Sequence, residues 1–265
     1  MLSIAGFPKY ENYKDSGHEK IGFIPCSWEV QRLKFLTSIN SESLPDNTPR
    51  KYLLDYVDIG SVSFEKGIER TEAFIFKDAP SRARRRACSG DVVVSTVRTY
   101  LKAIAYVDDQ ASRYTYSTGF AVVSPGKKLV PDYLGCFVKS NAFTEQVDLV
   151  AKGMSYPAIN STELSNLYLA CAPADEQKLI AKFLDKKTTK IDEAIAIKER
   201  QIALLKERKQ IIIQKAVTRG LDPNVPMKDS GVDLIWQIPA HWDFAKMKFY
   251  IDILPGYAFK SESYS

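Results

Sequence analysis

Histidine is scarce in this chain of 265 residues: there are two, His18 and His241. An internal repeat sets them opposite Val232 and Ser27, so neither stands at a position both copies require, which argues against a histidine-based acid–base or zinc centre. The four cysteines, Cys26, Cys88, Cys136 and Cys171, are widely spread, without CxxC pairs or histidine-linked spacing. They read as buried free thiols of a reducing compartment. No apolar run approaches the roughly 20 residues a bilayer span needs. The opening "MLSIAGFPKYENYKDSG" has a short apolar patch broken by Pro8 and no basic leader, so a soluble, unexported, cytoplasmic protein with no membrane partner is expected. A phosphate-cradling glycine loop is also missing, since "SPGKK" at 124–128 lacks P-loop spacing. Pro131, Asp132, Asp185 and Lys187 can be strung into a nuclease-like set, but its second half falls on an exposed helix rather than beside a strand end. No catalytic residue, metal or cofactor is expected.

What is present is ordinary globular composition, 45% hydrophobic and 26% charged, in a length that suits one large or two modest domains. The net charge is +5, and its placement matters more than its size. Between Ala174 and Arg219 there are twelve Lys or Arg against seven Asp or Glu, an excess equal to the whole surplus. Phosphate binding depends on such local clusters rather than on the total.

That same segment, "ADEQKLIAKFLDKKTTKIDEAIAIKERQIALLKERKQIIIQKAVTR", has no Gly or Pro and is rich in helix formers, which predicts one helix over residues 174–219. Pro173, Asp175 and Glu176 suit its start; Gly220 and Pro223 suit its stop. Alternate steps of four and three pick out Leu184, Thr188, Ile191, Ile195, Lys198, Ile202, Leu205, Lys209, Ile212 and Ala216, a heptad seam interrupted by two lysines and a threonine. At ~1.5 Å per residue such a helix reaches ~69 Å, beyond the diameter of a small domain. It must project or bridge, and its stripe needs a partner, because length and propensity alone do not stabilise it in water. The alternative is a core helix wrapped by its own domain.

Before the helix, "SWEVQRLKFL" has helical spacing, whereas "KYLLDYVDIGSVSF", "GDVVVSTVRTYLKAIAYV" and "GFAVVSPG" read as strands and "VPDYLGCFVKSNAFTEQVDLVAKG" as helical. The fold class is α+β over residues 1–172. After the helix the chain repeats itself: "YKDSGHEKIGFIPCSWEVQRLKF" at 13–35 aligns with "MKDSGVDLIWQIPAHWDFAKMKF" at 227–249. With a constant offset of 214, ten of twenty-two positions from 14 to 35 match without a gap: Lys14, Asp15, Ser16, Gly17, Ile21, Ile24, Pro25, Trp28, Lys34 and Phe35. That spacing is a domain plus a connector, not a solenoid. A tail motif that docks locally is the other reading, since Trp242, Phe244, Met247 and Phe249 need cover.

From Arg82 to Lys102 the chain carries Arg82, Arg84, Arg85, Arg86, Arg98 and Lys102 against the single acid Asp91, with Tyr100 among them and Arg113, Tyr114 and Tyr116 shortly after. Arginines bind phosphate or read guanine edges bidentately, which makes this cluster a candidate DNA face. A solvated loop followed by a buried "DVVVSTV" strand is the plainer account of any one of these side chains.

Residues 171–242, "CAPADEQKLIAKFLDKKTTKIDEAIAIKERQIALLKERKQIIIQKAVTRGLDPNVPMKDSGVDLIWQIPAHW", resemble the central conserved region of the specificity subunits of type I restriction-modification systems. Weaker likenesses are "IPCSWEVQRLK", "GDVVVSTVRTYLKAIA", "STGFAVVSP" and "GMSYPAINSTELSNLYL", which are similar to framework segments of that family's target recognition domains. The resemblance implies two recognition domains held apart by two long helices, each reading half of a split site in double-stranded DNA. It also implies modification (methyltransferase) subunits that use S-adenosylmethionine and, through them, ATP-driven restriction subunits, with neither cofactor bound by this chain. The division it implies is a target recognition domain at 1–172, a spacer and docking helix at 173–220, and the start of a second recognition domain at 221–265. With one recognition domain and one long helix, two copies pairing their helices antiparallel restore a two-domain reader of an interrupted palindrome, with Leu184, Ile191, Ile195, Ile202, Leu205 and Ile212 as the seam; a modification subunit covering the same stripe is the alternative partner. The rival readings are a non-catalytic coiled-coil interaction protein, an inactive truncated remnant, and an enzyme that acts on DNA by itself.

Overall fold

A computed structural model describes residues 10–243, 245–253 and 256. The chain forms two compact units, Met1–Thr189 and Lys190–Ser265. In the first, an antiparallel sheet runs in the order Ile104–Tyr106, Val92–Ser95, Phe120–Pro125, Thr37–Ile39. Its centre explains the unbroken apolar run "DVVVS". Val92 and Val94 face a core made with Leu134, Phe137, Phe143 and Val147, whereas Val93 faces a second core with Val107, Tyr116, Phe120 and Val122. A strand covered on both faces reads as continuous hydrophobicity rather than alternation.

A second sheet has the order Glu72–Ile75, Leu53–Val57, Thr115–Ser117, Ala83–Arg85, with the middle pair parallel. Two helices, Pro131–Val138 and Asn141–Val150, occupy the segment expected to be helical and supply Leu134, Phe137, Phe143 and Val147 to the first core. A short helix, Ser161–Ser165, follows behind a capping box in which Asn160 and Glu163 bond each other's backbone N–H.

The expectation of a helix over "SWEVQRLKFL" is wrong for most of its length. Glu29–Arg32 is a strand paired antiparallel with Tyr168–Cys171, and only Leu33–Leu36 makes a helical turn, with Leu33 and Leu36 in the core. The pairing partner lies more than 130 residues away in sequence, so local periodicity could not announce it. Arg32 Nε donates to Tyr168 Oη at 3.1 Å, and the His18 ring stacks on Tyr168 with centroids 3.5 Å apart. The cysteine expectation also needs correction: all four are free thiols, but Cys26 and Cys88 are exposed and Cys136 and Cys171 half-buried. No helix among the described residues is long and apolar enough to cross a membrane.

The helix predicted over 174–219 is present as Ala174–Arg219. Its start is fixed by polar bonds. Gln177 is buried; its Oε1 accepts from the Val130 N–H at 2.8 Å, and its Nε2 donates to the carbonyls of Ala172 at 2.8 Å and Lys128 at 3.1 Å. Beside it Glu176 accepts hydrogen bonds from the Trp28 indole, at 3.0 Å, and from the Tyr10 hydroxyl. Burial raises the pKa of the Glu176 carboxyl. From Asp185 to Lys215 every residue of the helix is exposed.

The sequence repeat is a structural repeat. The first copy is a hairpin pairing Tyr13, Lys14 and Asp15 with Pro25, Ile24 and Phe23; the second pairs Met227, Lys228 and Asp229 with Pro239, Ile238 and Gln237. Asp15 accepts from the Gly17 N–H and Asp229 from the Gly231 N–H, both at 2.9 Å, while Ser16 and Ser230 accept from the N–H two residues on, both at 3.1 Å. Gly17 and Gly231 hold φ of 72° and 70°. The copies differ where Gly22, at φ 73°, becomes Trp236, a non-glycine residue at φ 57°. In the second unit this hairpin packs on the helix end: a Cβ at Gly220 would lie 3.5 Å from the Trp242 ring and 3.7 Å from Pro239. Trp242 is half-buried, but Met247 and Phe249 are exposed, so they lack the cover the sequence called for; Phe244 lies outside the described residues.

Replacing Gln177 by Ala strands the Val130 N–H and two carbonyls in a dry site. We expect a loss of about 2–4 kcal/mol in chemical denaturation, against under about 1 kcal/mol for the exposed Lys178→Ala.

Candidate nucleic-acid interface

The arginine cluster is built on an edge strand, Ala83–Arg85, and the segments that flank it. Successive side chains on a strand leave from opposite faces, so the run "RRR" cannot act as one patch. Arg84 lays its guanidinium over the Phe76 ring, 4.6 Å from the centroid. Arg85 sits opposite Tyr116 in the ladder, and Arg84 Nη1 and Arg85 Nε are buried without a hydrogen-bond partner among the described residues. Arg86 is a clip: Nη1 donates to the carbonyls of Arg113 and Tyr114, each at 3.0 Å, holding the loop that leads into strand Thr115–Ser117.

Tyr116 is fully buried, and its hydroxyl donates to the Ala111 carbonyl at 2.8 Å. Burial is the main cause that raises its pKa far above the usual phenol range. A side chain without exposed surface does not present itself to a groove, so Tyr116 leaves the surface set. Tyr114 is half-buried and accepts a hydrogen bond from Gln110 at 3.0 Å.

The remaining candidates are exposed or nearly so. Arg82, Arg98, Tyr100 and Arg113 are exposed, and Lys102 is half-buried with its ammonium 5.9 Å from the Phe64 ring centroid. Among the described residues, Arg82, Arg98 and Arg113 have no side-chain hydrogen bond or ion pair. Their charge is free for an external anion, which the Arg86 guanidinium is not. Sequence reasoning could not separate these roles, because all four residues are arginines and differ only in what the fold places beside them.

The nuclease-like set does not assemble into a metal cluster. Asp132 accepts a hydrogen bond from Tyr106 at 2.8 Å; burial first, and this bond second, push the Tyr106 phenol up to about 12. Asp185 and Lys187 stand exposed on the long helix, and no group of three potential ligands occurs among the described residues.

On the long helix, Leu184 is half-buried, while Ile191, Ile195, Ile202, Leu205 and Ile212 are each 50–62% exposed. A second line was not read from the sequence. Ile197, Leu204 and Ile211 recur every seven residues, are 46–58% exposed, and lie roughly half a turn around the axis from the seam at ~100° per residue. The signal was available as a heptad in another register. One helix thus carries two apolar lines that the described residues leave largely exposed.

A family model described as the type I restriction modification DNA specificity domain matches residues 27–207. Over 277 residues the chain is 25% identical to a Methanocaldococcus jannaschii protein assigned as the MjaX specificity subunit of a type I restriction enzyme, covering 100% of this chain and 62% of that protein. It is 29% identical over 119 residues to the type I restriction enzyme HindI specificity subunit of Haemophilus influenzae, covering 44% of this chain and 26% of that one. The crystal structure of the HsdS subunit from Thermoanaerobacter tengcongensis superposes with a TM-score of 0.60 at 26% identity, over 79% of this chain and 52% of that one. The chain therefore spans under two thirds of the length of these relatives.

The geometry separates fold-holding from free cations. Tyr116→Phe should cost about 1–2 kcal/mol of stability in thermal or urea unfolding while leaving duplex DNA affinity within twofold. Arg113→Ala should do the reverse, weakening DNA binding at low salt with a melting temperature close to that of the parent.

Proposed function

Because this chain belongs to the family of type I restriction modification DNA specificity domains, we propose that it is the non-catalytic DNA-recognition subunit of a type I restriction-modification complex. In this reading the unit ahead of the long helix is a target recognition domain that reads one half of a split site. Modification subunits dock on the helix and bring the methyl-donor chemistry, and restriction subunits join through them. The residues carrying DNA are Arg82, Arg98, Tyr100, Lys102 and Arg113, with Arg84 and Arg85 partly available; Arg86 and Tyr116 serve the fold.

The observation that carries the assembly is the uncovered helix. Thirty-one consecutive residues, from Asp185 to Lys215, are exposed, yet they hold two apolar lines on opposite sides. Water solvates such a surface poorly, and two lines half a turn apart fit two different covers. We assign the seam through Ile195, Ile202 and Leu205 to the long helix of a second copy, paired antiparallel, and the line through Ile197, Leu204 and Ile211 to a modification subunit. A two-fold pair of readers recognises an interrupted palindrome. The repeated hairpin at 227–242 supports the reading of residues 221–265 as the opening of a recognition domain, because it reproduces both the register and the turn bonds of the hairpin at 13–28.

Co-expression with the cognate modification subunit in a host lacking other methylation, followed by mapping of modified adenines, should return a bipartite inverted motif. Two soluble, associated proteins that leave the genome unmodified would favour an inactive remnant. The triple variant Ile195→Asp, Ile202→Asp, Leu205→Asp should abolish self-association in light scattering. The pair Leu204→Asp, Ile211→Asp should leave self-association intact and lose the modification subunit on co-purification.

A further inference from the structure

We infer that two loops, 96–102 and 152–158, form one DNA-contacting lip in which Arg98 and Lys102 hold phosphates while Tyr156 and Met154 pack into a groove of the duplex. The inference rests on the DNA-recognition reading above and adds residues that it does not use. The second loop is closed on itself by reciprocal backbone bonds between Lys152 and Ala158, each 2.9 Å. Gly153, at φ 109°, makes the turn, and a Cβ there would meet the Tyr156 carbonyl oxygen at 3.0 Å. This loop is fastened to the first by Ile159 N–H to Thr96 carbonyl, 2.9 Å, and Thr99 N–H to Pro157 carbonyl, 3.2 Å. The two loops are therefore one piece of structure.

What they present to solvent is unusual for a surface that touches nothing. Met154 is fully exposed, Tyr156 66%, Tyr100 55% and Leu101 43% exposed. Between them the Arg98 guanidinium lies 5.2 Å from the Tyr156 ring centroid, an arrangement that orders both side chains and leaves the arginine N–H groups free. Arg98 and Lys102 both hold left-handed backbone, φ 52° and 46°, at the two ends of the turn Thr99–Leu101. Non-glycine residues are seldom held there unless their surroundings fix them, as buried Thr99 does here. Lys152 is excluded from the contact set because it pairs with Glu163 at 2.7 Å.

Free cations beside exposed Met, Leu and Tyr side chains match the chemistry of a duplex, in which phosphates rim a groove whose floor accepts apolar and aromatic groups. A protein ligand would match the apolar side chains but leaves the unpaired cations without a role.

The full chain is titrated against a pool of random-sequence duplexes by fluorescence anisotropy over a range of salt. Arg98→Ala with Lys102→Ala should make the log–log salt slope shallower by about 2. Met154→Ala with Tyr156→Ala should weaken binding about tenfold at an unchanged slope. Both pairs are at least partly exposed, and unchanged melting temperatures exclude misfolding as the cause. Parent-like binding by both variants overturns the lip and leaves DNA recognition standing. Absence of salt-sensitive binding by the parent chain overturns DNA recognition itself. Intact DNA affinity with loss of a co-expressed modification subunit assigns the lip to protein docking and equally overturns the proposal.

Discussion

The buried amide of Gln177 is the point on which the long helix depends. A helix start leaves N–H groups unsatisfied, and the carbonyls and amides of the chain that meets it also need partners once water is excluded. Gln177 supplies three of those bonds at once, to Val130, Lys128 and Ala172, and does so one residue from the Trp28–Glu176 bond. The strand Tyr168–Cys171 that feeds the helix is itself paired with Glu29–Arg32. The hairpin segment, the closing strand and the first helical turn are consequently tied together, and the nucleation cost that makes an isolated helix marginal is met by tertiary bonds. Ala181 is the last fully buried residue of the helix, Phe183 and Leu184 are half-buried, and from Asp185 to Lys215 every residue is exposed.

That contrast organises function. A helix held firmly at its start and exposed from Asp185 to Lys215 carries an apolar surface that the described residues leave largely open. Its two heptad lines are close to parallel along the axis, so covers on opposite sides do not compete for the same face. The hairpin that follows the helix repeats the register of the one that opens the globular unit.

The arginine-rich segment shows why clusters of one residue type mislead. Five arginines and a lysine between Arg82 and Lys102 look like one basic patch in one dimension. In the fold Arg86 ties a loop, Arg84 covers an aromatic ring, and Arg82 and Arg98 keep their charge available. Tyr116 has turned inward, since its strand alternates and its ring completes the second core. Met154 and Tyr156 came from a segment read as framework, and their exposure depends on a turn that only the cross-loop bonds define.

The sequence by itself determined what is local or repeated: the helix over 174–219 with both its ends, the strands of "DVVVSTV" and "GFAVVSPG", the helical segment after Val130, and the 214-residue repeat that returned as two hairpins of one register. These depend on periodicity, turn residues and self-similarity, all of which are carried within a short window. Only the tertiary structure decided that "EVQR" joins a sheet with Tyr168–Cys171, that Cys26 and Cys88 stay exposed, and which arginines hold the fold and which are free. The reason is physical: strand pairing and side-chain satisfaction are settled by partners distant in sequence, and the hydrogen bonds of those partners, not the residue's own type, fix whether a side chain is structure or surface.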